Sequence, residues 1–110
     1  MRPKAVALLA KEAARDKKAE NPVILDLEKI SDVARYFVLV HGNSDRHVKA
    51  IAEHVIATLE AKKVKLFHQE GLTDGLWILL DFGSVMVHVF YRDTREYYGL
   101  ERLWGDAGRL

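Results

Sequence analysis

The stretch Trp77 to Tyr91, WILLDFGSVMVHVFY, constrains the fold more than any other part of the chain. Two apolar runs flank Gly83-Ser84, a turn-forming pair, and this is the pattern of a β-hairpin. With Gly83-Ser84 as a two-residue loop, Phe82 lies opposite Val85 and the register follows outward. One face then carries Ile78, Leu80 and Phe82 against Val85, Val87 and Val89, a uniform apolar surface that belongs in a core. The other face pairs Trp77 with Phe90, Leu79 with His88, and Asp81 with Met86. A large aromatic, a histidine and a carboxylate among apolar groups suit a recognition surface better than a buried one. A change of one residue in loop length exchanges the faces of one strand, so the partition depends on the turn.

The remaining elements read as support for this hairpin. Pro3 to Lys18 has Val6, Leu9, Ala10 and Ala13 at helical spacing, with Asn21-Pro22 as the stop. Its basic residues read as a solvated helix face. Val23 to Leu27 is a short strand, and Ile30-Ser31-Asp32 a turn or short helix. Tyr36 to Val40, YFVLV, is continuous and rich in β-formers, as in an interior strand covered on both faces. Gly42 ends it, and Asn43 or Ser44 caps a helix whose stripe is Val48, Ile51, Ala52, Val55, Ile56 and Leu59. Val64 to Glu70 is a third strand ended by Gly71, and Thr73-Asp74-Gly75 turns into the hairpin. Asp93 and Glu96 have capping-box spacing before a last helix that presents Tyr97, Leu100, Glu101 and Trp104 and ends at Gly105. A strand–helix–strand passage implies a parallel crossover, and the hairpin adds antiparallel pairing. The expected architecture is α/β, a mixed sheet of about five strands with helices packed on it.

Composition bounds the function. A chain of 110 residues is expected to form one domain. Lys+Arg at 17 against Asp+Glu at 16 argues against broad, charge-driven binding to nucleic acid or anionic lipid. The lack of cysteine excludes disulfides, thiolate nucleophiles and Cys-ligated zinc. Neither a signal-peptide pattern nor a membrane-spanning run is present, so the expected location is the cytoplasm.

Chemical sites are sparse. His47 and His54 lie two helical turns apart, roughly 10 Å by rise, too far for one ion to be shared without further ligands. Asp81 lies diagonally from His88 in the hairpin register, close enough for a hydrogen bond that orients a general base. No nucleophile accompanies them, so a polar pair fixing the sheet surface is favoured. Gly42-Asn43-Ser44 before a helix is a generic anion site without GxGxxG or a Walker A lysine. Asp26 and Glu28 have the spacing of a metal-binding carboxylate pair but precede that glycine, against the order in nucleotidyltransferases. Neither a cofactor nor a resident metal is expected. What remains is the aromatic content of the C-terminal third: Trp77, Phe90, Tyr97, Tyr98 and Trp104, with Arg95 and Glu101 nearby. Aromatic anchors with scattered charges have the composition of a protein interface, and exposure is favoured for Trp77. For Tyr97 and Trp104, core and interface readings stand even.

Three segments carry a resemblance. YFVLVHGNSDRHVKAIAEHV, EG followed by GLWILLDFGSVMVHVF, and REYYGLERLWGDA, in that order from about Val23 to Ala107, resemble the Iojap family of ribosomal silencing factors. The closing YYxLExLWGDA pattern is its most specific part. Arg35 and Ser84 depart from it, standing where the family usually has acidic residues. The resemblance implies an α/β fold related to nucleotidyltransferases but without their catalytic carboxylates, and no enzyme activity. It implies binding to the large ribosomal subunit through a protein on its intersubunit face, which sterically blocks subunit joining and represses translation when nutrients are short. A maturation factor for the large subunit is the alternative, and a nucleotidyltransferase-like enzyme a more distant one. The partner-binding residues expected on this basis are Trp77, Leu79, Asp81, Met86, His88 and Phe90 on the sheet, extended by Arg95, Tyr98 and Glu101. Trp77 is the anchor, and Asp81 and Glu101 would meet basic groups of the ribosomal protein. An exposed apolar sheet face also allows the free protein to pair as a homodimer.

Overall fold

A computed structural model describes residues 1–110. In chain order the elements are α1 (Pro3–Asp16), β1 (Glu20–Asp26), β2 (Tyr36–Gly42), α2 (Asp45–Ala61), β3 (His68–Glu70), β4 (Trp77–Asp81), β5 (Val85–Tyr91), α3 (Arg92–Tyr98), α4 (Leu100–Leu103) and β6 (Gly108–Arg109). The six strands form one mixed sheet in the order β3-β4-β5-β2-β1-β6. The sixth strand, absent from the five-strand expectation, is a two-residue pairing of Gly108 and Arg109 with β1. Too short to carry a periodic pattern, it is made by tertiary return of the chain.

The hairpin register is the one the turn demands: Trp77 opposite Phe90, Leu79 opposite His88, Asp81 opposite Met86. Ile78, Leu80, Phe82, Val85, Val87 and Val89 lie in the main core with the buried stripes of α1 and α2. The crossover through α2 carries the chain to β3 at the far edge, and the parallel neighbour of β2 is β5. Being central and covered on both sides, β2 is buried at every position.

Local physics explains the element ends. Ser44 accepts the His47 N–H and caps α2, and Ser44→Ala is expected to cost about 1 kcal/mol in urea unfolding. The first helix stops at Asp16, before Asn21-Pro22, because Lys18 adopts a positive φ of 61° and Ala19 N–H returns to the Ala14 carbonyl. Asn21, also at positive φ, then marks the register shift between Glu20 and Val23 that admits an early start of β1. The third strand is only His68–Glu70, since Val64 to Phe67 lies outside the ladder.

The last helix is two helices. Gly99 in the left-handed conformation, φ 56°, breaks it after Tyr98, and Asp93 makes no capping hydrogen bond. The break rotates the segment so that Leu100 and Trp104 turn onto the sheet while Tyr97 stays 80% exposed. Leu100 joins Phe37, Leu39 and Phe90 in a second, smaller core on the face opposite α1 and α2. The sheet is therefore covered on both sides, and this decides where a partner can reach it.

Candidate docking surface

The face expected to be open is mostly roofed. Phe90 is fully buried in the second core with Leu100 and Trp104, and His88 is 5% exposed among the rings of Phe37, Trp77 and Phe90. Both are corrected from surface contacts to core residues. Period-two alternation identifies two faces of a strand but not what later covers them. Leu79, Asp81 and Met86 remain half-buried along the hairpin.

Trp77 stands at the open end of this face. Its ring is tilted over Phe90, centroids 5.1 Å apart, and over Tyr98 at 4.8 Å. Its indole N–H is donated to Nδ1 of His88 at 3.1 Å. His88 in turn contacts Phe37, and Phe37 contacts Trp104, so aromatic rings run unbroken from the surface into the core. The Asp–His pairing considered from the register does not form: Asp81 instead accepts the Gly83 N–H at 2.7 Å and shapes the hairpin turn.

Backbone geometry fixes the Trp77 strand from outside. Gly71 has φ +85°, and any Cβ there would run into the Trp77 carbonyl oxygen. Asp74 accepts the Leu76 N–H, closing the turn before β4, and Tyr91 N–H donates to the Leu76 carbonyl. Because α3 follows β5 directly, its first turns lie beside this loop. Leu76, Trp77, Tyr97 and Tyr98 consequently line a cleft of about 570 Å³ with Asp74 and Asp93 among its polar residues. Leu76, Tyr97 and Tyr98 are 47%, 80% and 53% exposed, so the cleft has an accessible apolar wall. The even reading of Tyr97 and Trp104 thus divides: Tyr97 is on this surface, and Trp104 is half-buried against the sheet.

A larger cleft of about 650 Å³ involves His41, Arg95 and Glu101. Arg95, Glu101 and His41 are already engaged with one another. Arg95 is buried and donates through Nε and Nη2 to the same Glu101 oxygen, at 3.0 and 2.6 Å, and through Nη1 to His41 Nδ1 at 3.0 Å. Burial and then the neighbouring Arg95 lower the pKa of His41, keeping it the neutral acceptor. Arg95 and Glu101 therefore tie α3 to α4 and to β2, and Arg95 is corrected from an interface residue to an internal strut. The sequence placed both residues near the aromatics, but charge type alone does not tell an internal pair from an interfacial one.

The structure thus brings Trp77, His88, Phe90 and Tyr98 together, and separately Arg95 with Glu101. Asp81 and Met86 lie at the other end of the hairpin, roughly 13 Å from Trp77 at ordinary strand rise. The residues sequence reasoning missed are Leu76, Asp74 and Asp93. Asp74 had the signature of a turn and Asp93 that of a cap, which concealed their place on the cleft.

The fold is a mixed α/β sheet with an aromatic cleft beside its hairpin. The chain belongs to the ribosomal silencing factor family: residues 1–110 match the family described as "Ribosomal silencing factor during starvation". It is 45% identical over 107 residues to the ribosomal silencing factor RsfS of Bacillus subtilis, covering 97% of this chain and 91% of that one. A mouse relative, "Mitochondrial assembly of ribosomal large subunit protein 1", is 31% identical over 102 residues, covering 90% of this chain and 42% of the mouse protein. Among solved structures, a Chromobacterium violaceum protein superposes with a TM-score of 0.93 at 36% identity, covering 96% of this chain and 88% of the other. A Bacillus halodurans protein superposes at 0.84 and 40% identity, covering 92% and 94%. No helix of this chain is long and apolar enough to cross a membrane.

Proposed function

We propose that this protein docks on the large ribosomal subunit through a protein on its intersubunit face, and that the bound factor occupies space the small subunit needs for joining. Translation then falls in proportion to occupancy. Family membership supports the ribosomal target, and the observation that carries the docking mode is the accessible cleft of Leu76, Trp77, Tyr97 and Tyr98. An aromatic wall of this kind provides contact area at low conformational cost, as interface anchors do. The carboxylates that face a basic partner are reassigned from Asp81 and Glu101 to Asp74 and Asp93. Asp74 also accepts a turn N–H and Asp93 lies beside Arg92, but these two line the cleft itself, whereas Asp81 lies at the far end of the hairpin and Glu101 is held by the buried Arg95. Tyr98 keeps its expected role, and Leu79, Asp81 and Met86 form the edge of the contact. In the free protein the same apolar wall is open to a second copy of the chain, which would compete with docking.

The test is sedimentation of the protein with purified large subunits, followed by addition of small subunits. The wild type is expected to co-migrate with large subunits and remove the joined peak. Trp77→Ala is expected to weaken binding by about 2 kcal/mol, roughly 30-fold, with the fold retained by circular dichroism. Equal binding by a folded Trp77→Ala variant would sink the assignment of the surface. Co-migration with normal joining would favour a maturation role, the reading that the name of the mouse relative supports.

A further inference from the structure

The sheet face beneath α3 and α4 carries two buried histidines: His41 is met by Arg95 of α3, whereas His88 is surrounded by aromatic rings. His88 lies among Phe37, Trp77 and Phe90, with ring centroids 4.6, 6.0 and 6.0 Å away. Leucine or phenylalanine would fill such a place without burying polar atoms, and the histidine carries a visible penalty: its Nε2 is buried and has no hydrogen-bond partner in the protein. Packing alone does not account for it.

The other nitrogen does. Nδ1 accepts the Trp77 indole N–H at 3.1 Å, which assigns the proton of the neutral ring to Nε2. Trp77 has this single polar group. On a half-buried tryptophan at a sheet end, an unengaged N–H would favour turning outward to water. Held from beneath, the ring lies against Phe90 on the sheet and Tyr98 on α3, and forms part of the cleft wall. His88 and Trp77 are diagonal cross-strand neighbours, since Trp77 pairs with Phe90 and Leu79 with His88.

The geometry points to His88 as the positioning residue of the docking surface: by accepting the Trp77 indole N–H it presets the ring in the orientation a partner meets, and leaves that partner no polar atom of Trp77 to satisfy. This rests on Trp77 being the anchor. It narrows the chemistry of the partner to a group that covers an aromatic face, an aliphatic side chain or a cation, with no acceptor required for the indole.

The test joins a spectroscopic readout to affinity. In ¹⁵N-labelled wild-type protein, the Trp77 indole nitrogen is expected to show scalar coupling across the hydrogen bond to His88 Nδ1, and absence of that coupling in the folded protein overturns the inference. His88→Leu is expected to move the Trp77 indole cross-peak and weaken large-subunit binding about 3- to 10-fold, the cost of fixing a freed side chain on binding. His88→Gln, which restores an acceptor, is expected to recover part of both and serves in place of the leucine variant if that one fails to fold. A folded His88→Leu that binds like wild type, while Trp77→Ala binds weakly, overturns the role of His88 alone. If Trp77→Ala also binds like wild type, the docking surface itself is overturned.

Discussion

Replacing Phe90 with alanine is expected to cost about 4 kcal/mol of folding stability, the largest effect of any single truncation considered. Phe90 has no exposed surface and is the largest fully buried side chain. It lies in the second core with Phe37, Leu39 and Leu100, so its removal leaves a cavity between the sheet and the α3–α4 segment. Because Trp77 leans on Phe90, the variant is also expected to lose large-subunit binding beyond what its stability predicts. Urea unfolding followed by circular dichroism gives the stability. A loss under about 1 kcal/mol would mean that α3 and α4 do not cover this face in solution, and that the face is open as the strand pattern alone suggested.

The second large effect is a loss of stability in acid carried by His88. Burial lowers its pKa from 6.5 to about 4. Between those values the unfolded chain binds a proton that the folded protein does not, so stability rises with pH across this window. On acidification the contribution is intact above pH 6.5, declines below it, and is fully lost once the folded pKa near 4 is passed. A shift of this size corresponds to about 3 kcal/mol. His41 is shifted in the same direction and adds to the trend. Comparing wild type with His88→Gln isolates the contribution: the difference in unfolding free energy between pH 7 and pH 4 is expected to shrink by about 3 kcal/mol in the variant. Identical acid limbs would show that His88 is not buried and neutral in the folded protein.

The elements with strong periodicity were legible. The α2 stripe, the interior strand β2 and the hairpin register each follow from spacing and one turn, because local backbone geometry assigns side chains to faces at periods of 3.6 and 2. The resemblance in the closing YYGLERLWGDA stretch identified the family, which the match over residues 1–110 establishes. The candidate surface was legible in its anchor, Trp77, and in Tyr98, because large aromatics near a hairpin end are conspicuous. It was not legible in Asp74 and Asp93, whose local roles as turn and helix-start residues hid their position on the cleft.

What the sequence determined by itself was therefore the order of elements as far as the start of α3, the apolar face of the hairpin and the family. Only the tertiary structure decided what covers the other side of that hairpin and where an edge of it is left accessible. Alternation divides a strand into two faces, but whether the second face meets water or protein depends on a segment that arrives later in the chain. Here a single left-handed residue, Gly99, turns Leu100 onto the sheet and Tyr97 outward. Leu100 and Trp104, which follow that turn, pack in the second core with Phe90, while the α3 residues before it line the cleft beside Trp77, and a dihedral angle at a glycine is not written in hydrophobic pattern.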